Sequence, residues 1–299
     1  MSIDKTKEQA SKFLGNDVEY KDQYDKSLLV PVERVHNRTK YAIEENNLPF
    51  VGFDTWNAFE VSFQLKNGLP VAAVAKISYP CNTHSIIESK SIKLYLNSYN
   101  MTKFDMTKGE ALTFVGDQIA KDLSEILGGD VDCTLHVNEF DGPEQVFDTS
   151  EFTDIEQLVD GEHIIFDQYN ETPDILKKKR GKGGYIAVST SLLRSNCRIT
   201  NQPDWGDAYI IMDGDSLPTM ESLLQYIVSF RKESHFHEEC CEMLFKRLMD
   251  KFNPDELMVT CLYTRRGGID INPSRATHEY LLPELLADTE ILTAKTMRQ

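Results

Sequence analysis

Long apolar runs are missing from this 299-residue chain: none approaches the ~20 residues that a helix needs to cross a bilayer. The opening residues, MSIDKTKEQASKF, lack the basic-then-apolar order of a secretory leader, so a cytoplasmic protein is expected. Cysteine is sparse. Six thiols (Cys81, Cys133, Cys197, Cys240, Cys241 and Cys261) are too few for a disulfide framework at this length, and free thiols in a reducing compartment are expected. Positive charge is also scarce, with 32 Lys and Arg against 48 Asp and Glu for a net charge of −16. A field of that sign repels nucleic acid and anionic membranes, so neither is expected as a partner, and a phosphate-bearing ligand would need a local basic site. No GxGxxG follows a strand pattern, no GxxxxGK[ST] occurs, and no CxxC occurs. A Rossmann site, a P-loop and a cysteine-paired zinc site are therefore not expected.

What is present is an ordinary globular composition, 40% apolar and 27% charged, in a chain long enough for about two domains. Residues 1–50 are polar and turn-rich apart from SLLVPV at 27–32. Phe59, Val61 and Phe63 then alternate, Asn67-Gly68 gives a hairpin signal, and Val71, Ala73 and Ala75 resume the alternation. A helix is predicted over 107–127, with Leu112, Val115, Ile119, Leu123 and Ile126 on one face and Gly128-Gly129 as its stop, followed by a strand over 131–137. The second half runs in the same order: a strand over 208–212, helices over 221–231 and 236–252, and a closing strand over 257–263.

The halves share residues as well as order. An offset of 131 carries Ser91, Tyr95 and Ser98 onto Ser222, Tyr226 and Ser229, and an offset of 128 carries Val131-Asp132-Cys133 onto Val259-Thr260-Cys261. Asp54-Thr55-Trp56 and Asp204-Trp205 form a weaker echo. The shared order predicts an internal duplication and an α+β protein rather than a parallel α/β sheet. The boundary falls within 141–185, giving an N-terminal module over 1–145 and a C-terminal module over 146–299.

Several segments carry chemistry. Lys177, Lys178, Lys179, Arg180 and Lys182 form the densest basic run, and in so acidic a chain a solvated loop is the better reading than a nucleic-acid patch. His237 and Cys241, four apart, have the spacing of zinc-binding helices, but two further ligands are missing and no metal is expected. In SLLRSNCRITNQPDWGD, Cys197 lies outside any apolar periodicity between Arg194 and Arg198, whose charges would favour the thiolate. Asp204 follows in what reads as a turn of Pro203 and Gly206. Beside the Trp205 indole, desolvation would suit it to general acid work. From chemistry alone, a catalytic Cys197 and a passive loop cysteine stay equally open. Lys90 and Lys93 beside Ser89 and Ser91, and Arg265-Arg266-Gly267-Gly268 at a strand end, are local basic sites that a phosphate-bearing ligand could use.

Together LPFVGFDTWNAFEVSF, IIESKSIKLYLNSYN, LLRSNCRITNQPDWGD, VSFRKESHFHEECCE and YTRRGGIDINPSRA resemble the NADPH-dependent 7-cyano-7-deazaguanine reductases in their long, two-module form, across nearly the whole chain. The resemblance implies tandem tunnelling-fold modules, each an antiparallel sheet backed by two helices. It implies reduction of the nitrile of 7-cyano-7-deazaguanine (preQ0) to 7-aminomethyl-7-deazaguanine (preQ1), for queuosine in tRNA, with two NADPH per turnover. Cys197 resembles the nucleophile that forms a covalent thioimide and Asp204 the acid; Glu88, Ser89, Lys90, His237 and Glu238 resemble the substrate pocket. Lys90, Ser91, Arg265, Arg266 and Gly267 resemble the cofactor contacts, and a homodimer is implied. Asn201 replaces a common His and Ser274 a usual Trp, and residues beyond Arg275 diverge. Two rivals share these residues: an amidinotransferase that adds ammonia to the same thioimide, and a deazaguanine-binding module in which Cys197 is inert.

Overall fold

The computed structural model describes residues 21–137, 143 and 145–293. Among them, the first half begins with a hairpin of β1 (Val51–Leu65) and β2 (Pro70–Pro80), continues through helices α1 (Ser89–Asn97) and α2 (Lys108–Leu127), and ends on β3 (Asp132–His136). The second half repeats this with β4 (Gly184–Cys197), β5 (Pro203–Gly214), α3 (Met220–Val228), α4 (His237–Phe252) and β6 (Glu256–Tyr263), and adds β7 (Ile269–Ala276). The protein is α+β, with its long strands paired antiparallel.

The halves join edge to edge. β7 pairs with β1 over eight registered positions, from Ile269 opposite Ala58 to Ala276 opposite Val51, so the order β4-β5-β6-β7-β1-β2-β3 runs unbroken through both halves. Two packed halves were expected; one continuous ten-stranded sheet among the described residues is found. Gly52 permits the joint, because a Cβ there would lie 2.0 Å from the Ser274 carbonyl oxygen. Helices cover one face. Val115, Ile119, Leu123 and Leu127 of α2 are fully buried on the first half, and Leu244, Phe245 and Leu248 of α4 on the second. Each such side chain contributes roughly 1.5–3 kcal/mol relative to exposure. The chain after β7 crosses the opposite face, setting Leu281 and Leu282 on Ile211 and Met258, and Leu292 on Val74.

The repeated residues make repeated bonds. Ser91 Oγ accepts from Val30 N at 3.1 Å, as Ser222 Oγ accepts from Lys177 N at 3.0 Å. Ser98 and Ser229 each donate to the Tyr carbonyl three residues earlier at 2.6 Å. Tyr95 OH donates to Asp122, and Tyr226 OH to Glu171, both at 2.8 Å. Both hairpins also carry a bulge in their first strand, between Ala58 and Val61 and between Thr190 and Leu193. The weaker echo has no such basis: Asp54 lies on the first strand of its hairpin and Asp204 on the second.

Other expectations shift at the edges. The strand expected over 208–212 extends to Pro203–Gly214, and the helix expected to reach 231 stops at Val228 before a tight 3₁₀ turn, Ser229–Lys232. Within the turn-rich opening segment, Arg34 and Arg38 are buried against the sheet joint. Arg34 binds Asp54 at 2.6 Å, Arg275 binds Asp54 at 2.8 Å and Glu242 at 3.0 Å, and Arg38 binds Glu242 at 2.7 Å. This buried ion network ties the opening segment, β1, α4 and β7 together. The Ser274 departure is a satisfied core position, fully buried with its hydroxyl 2.7 Å from that of Thr260.

Candidate active site

Four chain segments meet where the halves join. The first is the start of α1, where Glu88 accepts from Ser91 N at 2.7 Å and caps the helix. The second is the end of β4 at Cys197, where the chain reverses: Cys197 N donates to Gln202 O at 2.8 Å and Asn201 N to Cys197 O at 2.9 Å. Asn201 takes φ 55° in this loop, and asparagine is among the few non-glycine residues that accept the left-handed region. The third is the start of α4. The short strand Ser234–His235 pairs with Asn196 and Cys197, which delivers His237 and Glu238 to the helix's first turn beside the thiol. The turn from β6 to β7 is the fourth and brings Arg266 and Gly267.

Between them lies a cavity of about 230 Å³. Ser89, Lys90, Cys197, Asp204, His237, Glu238, Arg266 and Gly267 all line it. Three residues expected with them are placed otherwise. Glu88 is buried as the helix cap, with one carboxyl oxygen, Oε1, left without a hydrogen-bond partner. Ser91 is buried with its hydroxyl committed to the Glu88 carbonyl at 2.7 Å. Arg265 lies outside, over the Phe59 ring at 3.3 Å. Lining residues that the sequence reading did not assign to the site include Trp56, Lys93, Gln202 and Phe236. Lys93 is visible in the sequence as part of a basic cluster, and Trp56 only as part of a weak internal echo and of a family segment, neither of which points to a site.

The electrostatics differ from the local reading. Arg194 turns away to the Arg231 carbonyl, and Arg198 binds Glu239 at 2.8 Å. The cation at the thiol is Lys90, from the other half, with Nζ 3.6 Å from Cys197 Sγ. Burial opposes ionisation of Cys197, but the Lys90 charge, the Thr200 hydroxyl and the Thr200 and Ile199 amides outweigh it and hold the thiol below its ordinary value. Asp204 is in a strand rather than a turn, so it points into the cavity while Trp205 points out, 43% exposed. Its partners are Arg266, Nη1 to Oδ1 at 2.7 Å, and His237, Nε2 to Oδ2 at 3.5 Å. Burial lowers the pKa of His237 and keeps it a neutral imidazole, helped by the Arg266 and Lys90 charges against the pull of Asp204. Burial, then the nearby Asp54 charge, pushes the Glu238 carboxyl up to about 8.

Two residues of the cavity wall carry buried polar atoms without hydrogen-bond partners, Glu238 Oε1 and His237 Nδ1. Buried groups left unsatisfied are costly, and a ligand with its own donors and acceptors could satisfy them. The metal reading of His237 and Cys241 does not assemble: Cys241 is buried against the Val259 carbonyl, 3.3 Å away, and the described residues hold no metal-ligating cluster of His, Cys, Asp or Glu.

A family model described as "Nitrile reductase, 7-cyano-7-deazaguanine-reductase N-term" matches residues 20–135, and one described as "QueF-like protein" matches residues 203–280. A relative from Colwellia psychrerythraea, named NADPH-dependent 7-cyano-7-deazaguanine reductase, is 40% identical over 271 residues, which is 89% of this chain and 91% of that one. A relative of the same name from Acidovorax ebreus is 41% identical over 91% of this chain and 95% of its own. The chain belongs to the NADPH-dependent 7-cyano-7-deazaguanine reductase family. Among solved structures, one titled "Crystal structure of the archaeosine synthase QueF-Like in the apo form" is 17% identical and covers 33% of this chain and 95% of that chain, with a TM-score of 0.28. The two family matches divide the site between them: Lys90 falls in the first and Asp204, His237 and Arg266 in the second, while Cys197 lies just ahead of the second.

Proposed function

We propose that this chain reduces the nitrile of preQ0 to the aminomethyl group of preQ1, in queuosine biosynthesis, through a covalent intermediate on Cys197. The Cys197 thiolate attacks the nitrile carbon, a carbon–sulfur bond forms, and one π pair moves to nitrogen. Asp204, held by Arg266 and facing His237, supplies the proton to that nitrogen. The resulting thioimide is a far better hydride acceptor than the nitrile, because positive charge develops at the carbon to be reduced. NADPH, when bound, supplies two hydrides. Between them the tetrahedral adduct collapses to an imine, the carbon–sulfur bond breaks, and Lys90 stabilises the departing thiolate, while solvent supplies the second proton that the amine nitrogen takes up.

Glu238 holds the deazaguanine through the carboxyl oxygen left without a partner in the cavity wall, and Glu88, buried behind it as the helix cap, would reach the base only through its own unpartnered oxygen. The rim suits a phosphate-bearing cofactor in an otherwise acidic protein: Lys93 and Arg266 line it, and Gly267 and Gly268, both with positive φ, expose backbone beside them. Arg265 would act from outside this rim, and Ser91, buried with its hydroxyl on the Glu88 carbonyl, only by fixing the turn that carries Lys90. The halves read as tunnelling-fold modules, 1–145 and 146–299, each with a hairpin, two helices and a returning strand, to which the second adds β7. A homodimer in the cytoplasm, with no nucleic-acid partner, completes the reading.

The observation that carries it is the Lys90–Cys197 contact inside the cavity that Asp204 also lines. Mass spectrometry of protein mixed with preQ0, without NADPH, should show one ligand mass on Cys197, and C197A should show none. Preq1 formed by C197A at an undiminished rate would overturn the covalent route. Two NADPH oxidised per nitrile separates reduction from ammonia addition and from simple binding.

A further inference from the structure

Tyr263, at the end of β6, contacts the site without being part of the cavity lining. Its ring stacks on the His237 imidazole, with centroids 3.8 Å apart and planes inclined by only 5°. The ring also lies against Gly206, its registered partner on β5. A Cβ at Gly206 would meet Tyr263 Cδ1 at 3.0 Å, the Leu262 carbonyl oxygen at 3.1 Å and Tyr263 Cε1 at 3.2 Å. Gly206 and Asp204 are two apart on one strand and so share a face. The missing side chain at Gly206 leaves the space beside Asp204 into which the ring fits. Tyr263 is itself buried, and its backbone N is fixed by Asn272 Oδ1 at 3.2 Å.

We propose that Tyr263 is a positioning residue that clamps the His237 imidazole against Asp204, and that position 206 is glycine because the clamp needs its volume. This deepens the reductase reading and rests on it for its catalytic consequence. A flat ring restrains an imidazole in tilt and translation, where an aliphatic side chain of similar bulk leaves both free. Proton delivery is sensitive to such displacement, and a misplacement of about 1 Å costs on the order of 10²-fold in rate.

Three variants test it: Tyr263→Leu, Tyr263→Phe and Gly206→Ala. Y263L and G206A should lower the rate of adduct formation with preQ0 by roughly 10- to 100-fold, with KM for preQ0 changed less than about threefold. Y263F, which keeps the ring, should recover at least about a third of the wild-type rate. The second readout does not depend on activity. Nitrogen-15 NMR of the imidazoles follows the protonation of His237, which faces Asp204, Arg266, Lys90 and the Tyr263 ring. His237 should stay neutral below its ordinary value of 6.5 in wild type and Y263F, and titrate at a higher pH in Y263L, where the loosened ring meets water. A folded Y263L with the wild-type rate and wild-type titration overturns the clamp. If wild type forms no adduct at all, the functional reading fails, while the titration still decides whether Tyr263 holds the ring.

Discussion

Lys90 is the residue whose importance depends most on where the chain folds. In sequence it is one lysine among several; in space its ammonium is the charge that counters burial of the Cys197 thiol. Lys90→Met keeps the stem and removes the charge, so the thiol pKa should rise. Alkylation of Cys197 by iodoacetamide at pH 7 should slow by several-fold, with the pH profile displaced upward. An unchanged profile would mean that the loop amides and Thr200 suffice. Among the residues of the cavity, Cys197 and Asp204 stood out in the sequence through unusual surroundings and a long motif. Their sequence neighbours do not act on them: the side chains of Arg194, Arg198 and Trp205 leave in other directions. Adjacency along a strand alternates faces, so it misleads about contact.

At the scale of elements, periodicity was a good guide. The stripe Val115, Ile119 and Leu123 and the stop at Gly128 correspond to α2, which ends on Gly128 at φ 74° and begins with a capping box of Thr107 and Glu110. The hairpin at Asn67-Gly68 joins β1 to β2. The joint between β1 and β7 was not legible, because strand pairing between residues more than 200 apart leaves no local pattern. Gly52 is its test. Gly52→Ala forces a Cβ onto the Ser274 carbonyl and should cost on the order of 2–4 kcal/mol in urea denaturation. Gly109→Ala, in the first turn of α2 with open space around it, should be neutral or stabilise by up to ~1 kcal/mol. Equal losses at both positions would mean that the joint tolerates strain.

For the whole molecule, the decisive feature is the buried ion network next to the site. Burial alone would raise the Asp54 and Glu242 carboxyls; Arg275, with Arg34 at Asp54 and Arg38 at Glu242, outweighs it and holds both below their ordinary 3.8 and 4.5. Groups depressed in the fold stabilise it fully above those ordinary values, and that stability is lost as pH falls through the folded ones. Glu238 has the opposite sign. With its folded value raised to about 8 against 4.5, it favours the fold most below 4.5 and loses that contribution as pH rises towards 8. Urea midpoints should therefore fall between pH 5 and pH 8 in wild type, and Glu238→Gln should flatten that slope while leaving acid unfolding below about pH 4 in place. A slope that survives E238Q would place the titration elsewhere.

Sequence by itself settled the composition class, the duplicated order of strands and helices, and the motifs that give the family, since these are local or repeated along the chain. Tertiary structure decided which charges meet. Lys90 reaches Cys197 because the β7–β1 joint holds the halves together, and Arg266 reaches Asp204 and Tyr263 reaches His237 because β5, β6 and α4 of the second half pack side by side, closing distances that no spacing in the sequence records.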